Sequence, residues 1–333
     1  MQALRLAVIG LGWWGRVLVD QVRQSPRLEV VHVVDVDPAA EAFARERGLR
    51  FSARLENALA DPGVEAVVLC TPHTQHAQQV VAVAAAGRHV FCEKPLALTR
   101  ADARRALDAV ERAGVTLAVG HEKRFEPPIV EVLRLLSAGE LGTPLQVEAN
   151  FSQDKFLALA ADNWRLSGQE APAGPMTATG IHLLDLSVAV FGEAESVLAS
   201  VRQLGSPLTN GDTLAVMASF RRGGHALISA MLATPFAGRF AVYGSAGWAE
   251  VRDKAHPESP EGWTLTVSRR GASPQITDYP PAPAALLNLE AFAAAARRVA
   301  PYPVPREQML ANISALEAVF RSARSGSVEV VED

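Results

Sequence analysis

Cysteine is nearly absent. Cys70 and Cys92 are the only two in 333 residues, too few for a disulfide framework. Both read as small buried hydrophobes in a reducing cytoplasm. The eight histidines are scattered and form no His-Glu-x-x-His pattern, so no metal site is expected. No Gly-x-Ser-x-Gly elbow offers a hydrolytic nucleophile. No run of 18 apolar residues could span a membrane. The opening Met1-Gln2-Ala3-Leu4-Arg5 lacks a basic leader and a cleavage-site pattern, so no secretory signal is expected. Like charges do not cluster, and a net charge of −4 with pI about 6.1 argues against nucleic acid as partner. A soluble intracellular protein is therefore expected.

Lysine is also scarce. Of 32 basic residues only Lys94, Lys123, Lys155 and Lys254 are lysine; the other 28 are arginine. A lysine in such a chain raises the question of what arginine could not do there. Arginine keeps its proton in a protein, whereas a lysine that is buried or near another cation can release it. Lys94, in Glu93-Lys94-Pro95, directly follows the apolar run His89–Cys92. That puts a titratable amine at the C-terminal end of an expected strand, where open α/β sheets bind ligands. Lys123 and Lys155 read as solvated, with Lys155 the better placed of the two to reach a substrate cleft.

The first 120 residues alternate short apolar strands with helices. Strands are expected at 4–9, 29–34, 66–70, 89–92 and 116–119, and helices at 14–24, 38–47, 55–60, 76–86 and 100–113. This order predicts an α/β Rossmann domain, a doubly wound parallel sheet, over residues 1–121. Beyond residue 144 longer strands appear at 145–151, 197–204, 213–220, 225–231 and 239–243, with a helix at 181–190. They predict an α+β domain over 122–304, built on a large, mostly antiparallel open sheet. Helices at 286–299 and 307–324 follow, and the C-terminal helix 305–325 can pack back on the first domain. One broad sheet face should be left uncovered. If apolar, it is an interface, so a homodimer or homotetramer through that sheet is expected.

Gly10-Leu11-Gly12-Trp13-Trp14-Gly15 follows the first strand and opens the first helix. Gly10 permits the tight turn, Gly12 admits a pyrophosphate, and Gly15 lets helix and strand approach, while the helix N-terminus favours the phosphate charge. Asp35 stands 20 residues after Gly15, at the end of the second strand, where a carboxylate accepts from ribose hydroxyls. With Asp37 nearby and no basic residue following, this set predicts NAD rather than NADP. Trp13 and Trp14 leave two roles open: packing on the core, or walling the nicotinamide site.

Together with that loop, several segments carry a resemblance: Thr71-Pro72-His73-Thr74-Gln75-His76, Gly87–Pro95, Gly120-His121 with Arg124-Phe125, Asn163-Trp164-Arg165, Gly180–Asp185 and Ser322–Gly326. On them the chain resembles the Gfo/Idh/MocA family of nicotinamide-dependent oxidoreductases, which act mainly on sugars, cyclitols and related compounds. The resemblance implies that Lys94 binds the substrate hydroxyl beside the nicotinamide and that Glu93 contacts the cofactor or orients Lys94. It implies that Thr71, Pro72, His73 and His76 line the cofactor channel, that Trp164 and Arg165 close the site, and that His182 exchanges the proton. Many members carry an aspartate four residues before that histidine; here the position is Ala178.

Hydride removal from a carbinol needs a base for the hydroxyl proton and a cation near its oxygen. Histidine as a residue type titrates near neutrality, so His182 suits the first task and Lys94 the second, with the reverse assignment also open. His121 and Arg124 follow the last strand of the first domain and could reach a substrate or join the domains. The leading reading is an NAD-dependent dehydrogenase of a sugar or polyol. Two others stand beside it: a dehydrogenase of a dihydrodiol, aromatic diol or imine, and a non-catalytic NAD sensor. A sensor would need neither titratable group.

Overall fold

The computed structural model describes residues 2–332, which group into two compact units. The first runs through His121 and takes up Ala285–Met309 again; the second comprises Glu122–Ala284 and the chain from Leu310 onward.

In the first unit, β1 (Leu4–Ile9), α1 (Trp13–Val22), β2 (Leu28–Val34), α2 (Ala40–Glu46), β3 (Arg50–Ser52) and α3 (Leu55–Leu59) are followed by β4 (Ala66–Leu69), α4 (His76–Ala85), β5 (His89–Cys92), α5 (Arg100–Ala113) and β6 (Leu117–Val119). The six strands form one parallel sheet in the order β3-β2-β1-β4-β5-β6. Strands buried on both faces need continuous apolar sequence, and Ala66–Leu69 and Leu117–Val119 are buried at every position. The chain moves outward from β1 on one side and restarts at β4 on the other. The loops after β1 and β4 therefore flank a topological switch point, the usual ligand position in such sheets. The helix Ala284–Ala296 completes this core, with Leu286, Leu289 and Phe292 joining the cluster of Leu4, Leu6, Leu18 and Phe91. It also satisfies the sheet edge, since Asn288 Nδ2 and Tyr302 Oη both donate to the Val119 carbonyl, at 3.0 and 3.1 Å. Three-residue β3 went unforeseen, and Pro38 lies in a turn ahead of α2 rather than in its first turn.

The second unit opens with α6 (Pro127–Ser137), whose two leading prolines need no amide partner in the first turn. β7 (Pro144–Ser152) and α7 (Ile181–Phe191) follow, then β8 (Ala194–Arg202), β9 (Thr213–Phe220), β10 (His225–Met231), β11 (Ala237–Gly244), β12 (Gly247–Asp253), β13 (Trp263–Arg269), β14 (Gln275–Tyr279) and, after the helix Arg306–Ser325, β15 (Glu329–Val330). They form one sheet in the order β14-β13-β12-β11-β7-β10-β9-β8-β15, antiparallel except where β10 runs beside β7. Along β9 and β10 buried residues alternate with exposed or half-exposed ones, the mark of a sheet covered on one side only. On its open face Leu198 pairs with Met217 and Met217 with Leu227, a cross-strand apolar row exposed by 38–45%. This face is concave, with a volume of about 740 Å³, and is closed at one end by residues 323–326. β12 to β15 were not among the strands expected from sequence.

Candidate active site

In the first unit, Gly10 holds φ +91°, and a Cβ there would lie 2.7 Å from the Cys70 carbonyl oxygen. A Cβ on Gly15 would meet Gly10 O at 1.9 Å, so only glycine lets α1 approach the strand end this closely. A Cβ on Gly12 would meet nothing within 4 Å among the described residues; the backbone there is open to a ligand. The first turn of α1 holds no acidic residue, and no described side chain caps it. This is an anion-accepting helix N-terminus that fits a dinucleotide pyrophosphate.

Asp35 does more than sequence reasoning assigned to it. Its Oδ2 accepts from the Leu11 amide at 2.5 Å and its Oδ1 from the Asp37 amide at 2.8 Å. The carboxylate thus pins the glycine loop, and with about four lone-pair positions it can still accept from a ribose hydroxyl. Trp14 packs on the core cluster, whereas Trp13 is 51% exposed. Of the two roles considered for this pair, packing on the core falls to Trp14.

Beyond β4, Thr71 Oγ1 donates to Gln79 Oε1 at 2.6 Å. Pro72 is half-buried, and His73 and His76 are buried with rings 5.9 Å apart. His76 turns Nδ1 to the Pro95 carbonyl at 2.7 Å and Nε2 to the Thr71 carbonyl at 2.9 Å. Its ring ties the loop after β4 to the loop after β5. Glu93 is buried, and its Oε2 accepts from the Lys94 amide at 3.2 Å. A Cβ on Gly120 would sit 2.5 Å from both Glu93 oxygens, so the carboxylate occupies the space that a missing side chain leaves. Lys94 is half-buried beside it, and His121 is buried at the end of this unit's last strand.

The second unit centres on His182, 3% exposed near the start of α7. The preceding residues Met176–Gly180, Ala178 among them, form a single π-helical turn, an irregularity frequent at functional sites. Glu122 Oε2 lies 3.5 Å from His182 Nδ1, and the Phe151 ring stands 6.1 Å from the His182 ring. Sequence reasoning missed Glu122; the signal available was its place in Gly120-His121-Glu122-Lys123-Arg124, amid residues already singled out.

One expectation is corrected here, that for Lys123. Arg124, for which a substrate role and a domain-joining role were both open, grips Asp185 with its buried guanidinium, Nε to Oδ2 at 2.5 Å and Nη2 to Oδ1 at 2.8 Å. Lys123 was expected in solvent, yet it is 4% exposed and bonds Glu126 Oε1 at 3.0 Å and Asp253 Oδ1 at 2.9 Å. Burial works against the Lys123 charge, but Asp253 and Glu126 outweigh it and hold its pKa above the usual lysine range. With two carboxylates sharing one ammonium, burial pushes Glu126 up to about 8. The scarcity of lysine that drew attention to Lys94 applied equally to Lys123.

Lys155 is exposed and bonds Glu258 Oε2 at 2.6 Å and His256 Nδ1 at 3.0 Å. Burial, followed by Lys155 and Lys123, pushes His256 down to about 4, so the ring is neutral and accepts from Lys155 while donating Nε2–H to Gln153 at 2.7 Å. Trp164 and Arg165 are half-buried, the guanidinium lying 4.3 Å over the indole. Asn210 anchors their loop by donating to the Arg165 and Ala171 carbonyls, both at 2.9 Å. No helix among the described residues is long and apolar enough to cross a membrane, and no cluster of metal-ligating side chains occurs among them.

Comparison with known proteins matches residues 4–121 to an oxidoreductase family with an NAD-binding Rossmann fold, and residues 129–250 to the Gfo/Idh/MocA C-terminal domain. The chain is 28% identical over 265 residues to the uncharacterized oxidoreductase YrbE of Bacillus subtilis strain 168, covering 76% of this chain and 75% of that one. It is 33% identical over 208 residues to the scyllo-inositol 2-dehydrogenase (NAD(+)) of the same organism. That match spans 61% of this chain and 59% of the relative. Among solved structures, GenD2 from gentamicin A biosynthesis, in complex with NAD, superposes with a TM-score of 0.85 at 26% identity over 100% of this chain and 97% of that one.

Proposed function

The chain belongs to the Gfo/Idh/MocA oxidoreductase family, and from that footing we propose that it is an NAD-dependent dehydrogenase of a sugar, polyol or related hydroxy compound. One observation carries the reading. The first unit offers a glycine-loop cradle at its switch point, and the strand order β1-β4-β5 places the Lys94 loop next to the His76-braced loop that borders this cradle. The inositol dehydrogenase among the relatives supports a polyhydroxylated substrate.

NAD, when bound, supplies the hydride acceptor. Gly10, Gly12 and Gly15 hold the pyrophosphate and Asp35 the ribose, while Trp13, Thr71, Pro72 and His73 line the nicotinamide channel. Glu93 orients Lys94, which donates a hydrogen bond to the reacting oxygen and stabilises the charge that develops there. His182 takes the hydroxyl proton. General acid–base assistance of this kind contributes roughly 10²–10⁴-fold in rate. Trp164 and Arg165 close over the substrate, with Lys155 and His121 at its margins. A second reading, an aromatic diol or dihydrodiol, draws support from Phe151, whose ring stands 6.1 Å from His182 and edge to face with Phe236 at 6.2 Å. We further propose that the protein works in the cytoplasm as a homodimer or homotetramer joined through the open sheet face.

Calorimetric titration with NAD and NADP, followed by NADH formation on a panel of inositols, sugars and aromatic diols, tests the reading. Lys94→Ala should abolish turnover and leave NAD affinity in place; an unchanged rate would refute the assignment. Tight NAD binding with no hydride transfer to or from any substrate would favour a sensor instead.

A further inference from the structure

We infer that Glu122 is the positioning residue for His182, doing the work of a carboxylate that Ala178 cannot supply. The inference rests on His182 being the proton acceptor of the proposed reaction. A histidine base needs its second ring nitrogen engaged, because that contact decides which nitrogen carries the hydrogen. The side chain of Ala178, on the turn before His182, carries no carboxylate. Glu122 comes from a different element and presents Oε2 3.5 Å from His182 Nδ1. Apo distances of this length shorten when a catalytic complex forms. A carboxylate on Nδ1 holds the hydrogen there, leaves Nε2 as the basic nitrogen, and stabilises the imidazolium that forms when the proton arrives.

The turn that carries Glu122 is secured on both sides. Residues 122–125 form one 3-10 turn in which three consecutive side chains each engage a buried opposite charge or a histidine. Glu122 faces His182, Lys123 binds Glu126 and Asp253, and Arg124 grips Asp185. Asp185 lies three residues beyond His182 on α7. The Arg124–Asp185 pair therefore fixes the turn to the same stretch of helix that presents the histidine. That arrangement sets the Glu122–His182 distance, as a positioned carboxylate requires.

The first test needs no substrate. The whole protein, labelled with ¹⁵N-histidine, reports the His182 tautomer by long-range ¹⁵N–¹H correlation, with His182→Asn assigning the signal. The native protein should show hydrogen on Nδ1. Glu122→Gln, which retains an acceptor oxygen, should keep it there, whereas Glu122→Leu and Glu122→Ala should release it to Nε2. A native Nε2–H tautomer, or one indifferent to Glu122→Leu and Glu122→Ala, would overturn the inference. The second arm is steady-state oxidation of scyllo-inositol with NAD. Glu122→Ala should lower kcat about 10- to 100-fold and change KM for NAD less than about twofold. A loss confined to KM would also overturn it. Absence of scyllo-inositol oxidation by the native protein would count against that substrate assignment alone, with the tautomer still deciding the role of Glu122.

Discussion

Asp185→Ala should separate what the Arg124–Asp185 pair contributes to stability from what it contributes to chemistry. Both side chains are nearly inaccessible, at 7% and 1% exposure, and they meet through two parallel N–H···O bonds of 2.5 and 2.8 Å. Removing one partner of a buried ion pair strands the other charge, at a cost of about 3–5 kcal/mol. Here the Asp185 backbone carbonyl still accepts from Arg124 Nη2 at 3.0 Å, so the lower figure applies, about 3 kcal/mol. For a unit of this size each kcal/mol moves the midpoint by roughly 2–4 °C, giving a fall of about 6–12 °C in calorimetry. Replacing both partners by apolar residues of similar volume, Arg124→Met with Asp185→Leu, removes the stranded charge and should recover most of that loss. The clamp on the 122–125 turn is then still missing. The double variant should regain its melting temperature yet keep a lowered kcat and a disordered His182 tautomer. A fall below about 2 °C in Asp185→Ala, or a double variant as unstable as the sum of the singles, would refute the energetic reasoning. Full recovery of kcat in the double variant would refute the positioning role.

The raised pKa of Glu126 makes a pH prediction. A carboxyl that titrates at about 8 when folded and at 4.5 when unfolded binds its proton more tightly in the native state. Its stabilisation is complete below 4.5 and is lost as pH rises through 8. Glu126→Gln should therefore gain stability relative to the native protein across that window, by at most about 5 kcal/mol at 1.36 kcal/mol per unit. Parallel urea-unfolding curves at pH 5 and pH 8 would show the reasoning to be wrong. Light scattering at micromolar concentration should give two or four times the 35.5 kDa chain mass, and Met217→Lys, in the middle of the exposed apolar row, should shift it toward the monomer. A native monomer would remove the proposal for the open face.

The first unit was legible in sequence almost element by element. Its strands are buried on both faces, so they appear as unbroken apolar runs, and its glycines mark turns that nothing else can occupy. The exception is β3, whose Arg50-Phe51-Ser52 is too short for any period to register. The second unit was legible only as far as β11. In Gly247–Asp253 the apolar Trp248 shares the parity of Glu250 and Arg252, so the alternation with buried Ala249 and Val251 is short and blurred. Trp263–Arg269 alternates plainly enough to have been found, with Trp263, Leu265 and Val267 turned inward. Gln275–Tyr279 has no buried residue and owes its strand conformation to pairing with β13 alone, so no local signal exists.

The site shows a sharper limit. Residue type and motif position made Lys94 and His182 candidates, because a scarce lysine and a histidine at a helix start are local facts. Partnership is not local. Arg124, left open by sequence between a substrate and a domain-joining role, is paired with Asp185 61 positions away, and Lys123 with Asp253 130 positions away. The same blindness made Ala178 look like a deficiency. A histidine base needs its second ring nitrogen engaged, and a carboxylate can do this from anywhere in the chain. Once the 122–125 turn is pinned by two buried ion pairs, Glu122 meets that requirement from the segment that immediately follows the first unit's last strand. An acid missing from one turn of helix is then no loss of chemistry, and the prediction that follows is specific. His182 should depend on Glu122, and the tautomer should follow residue 122 while residue 178 remains alanine.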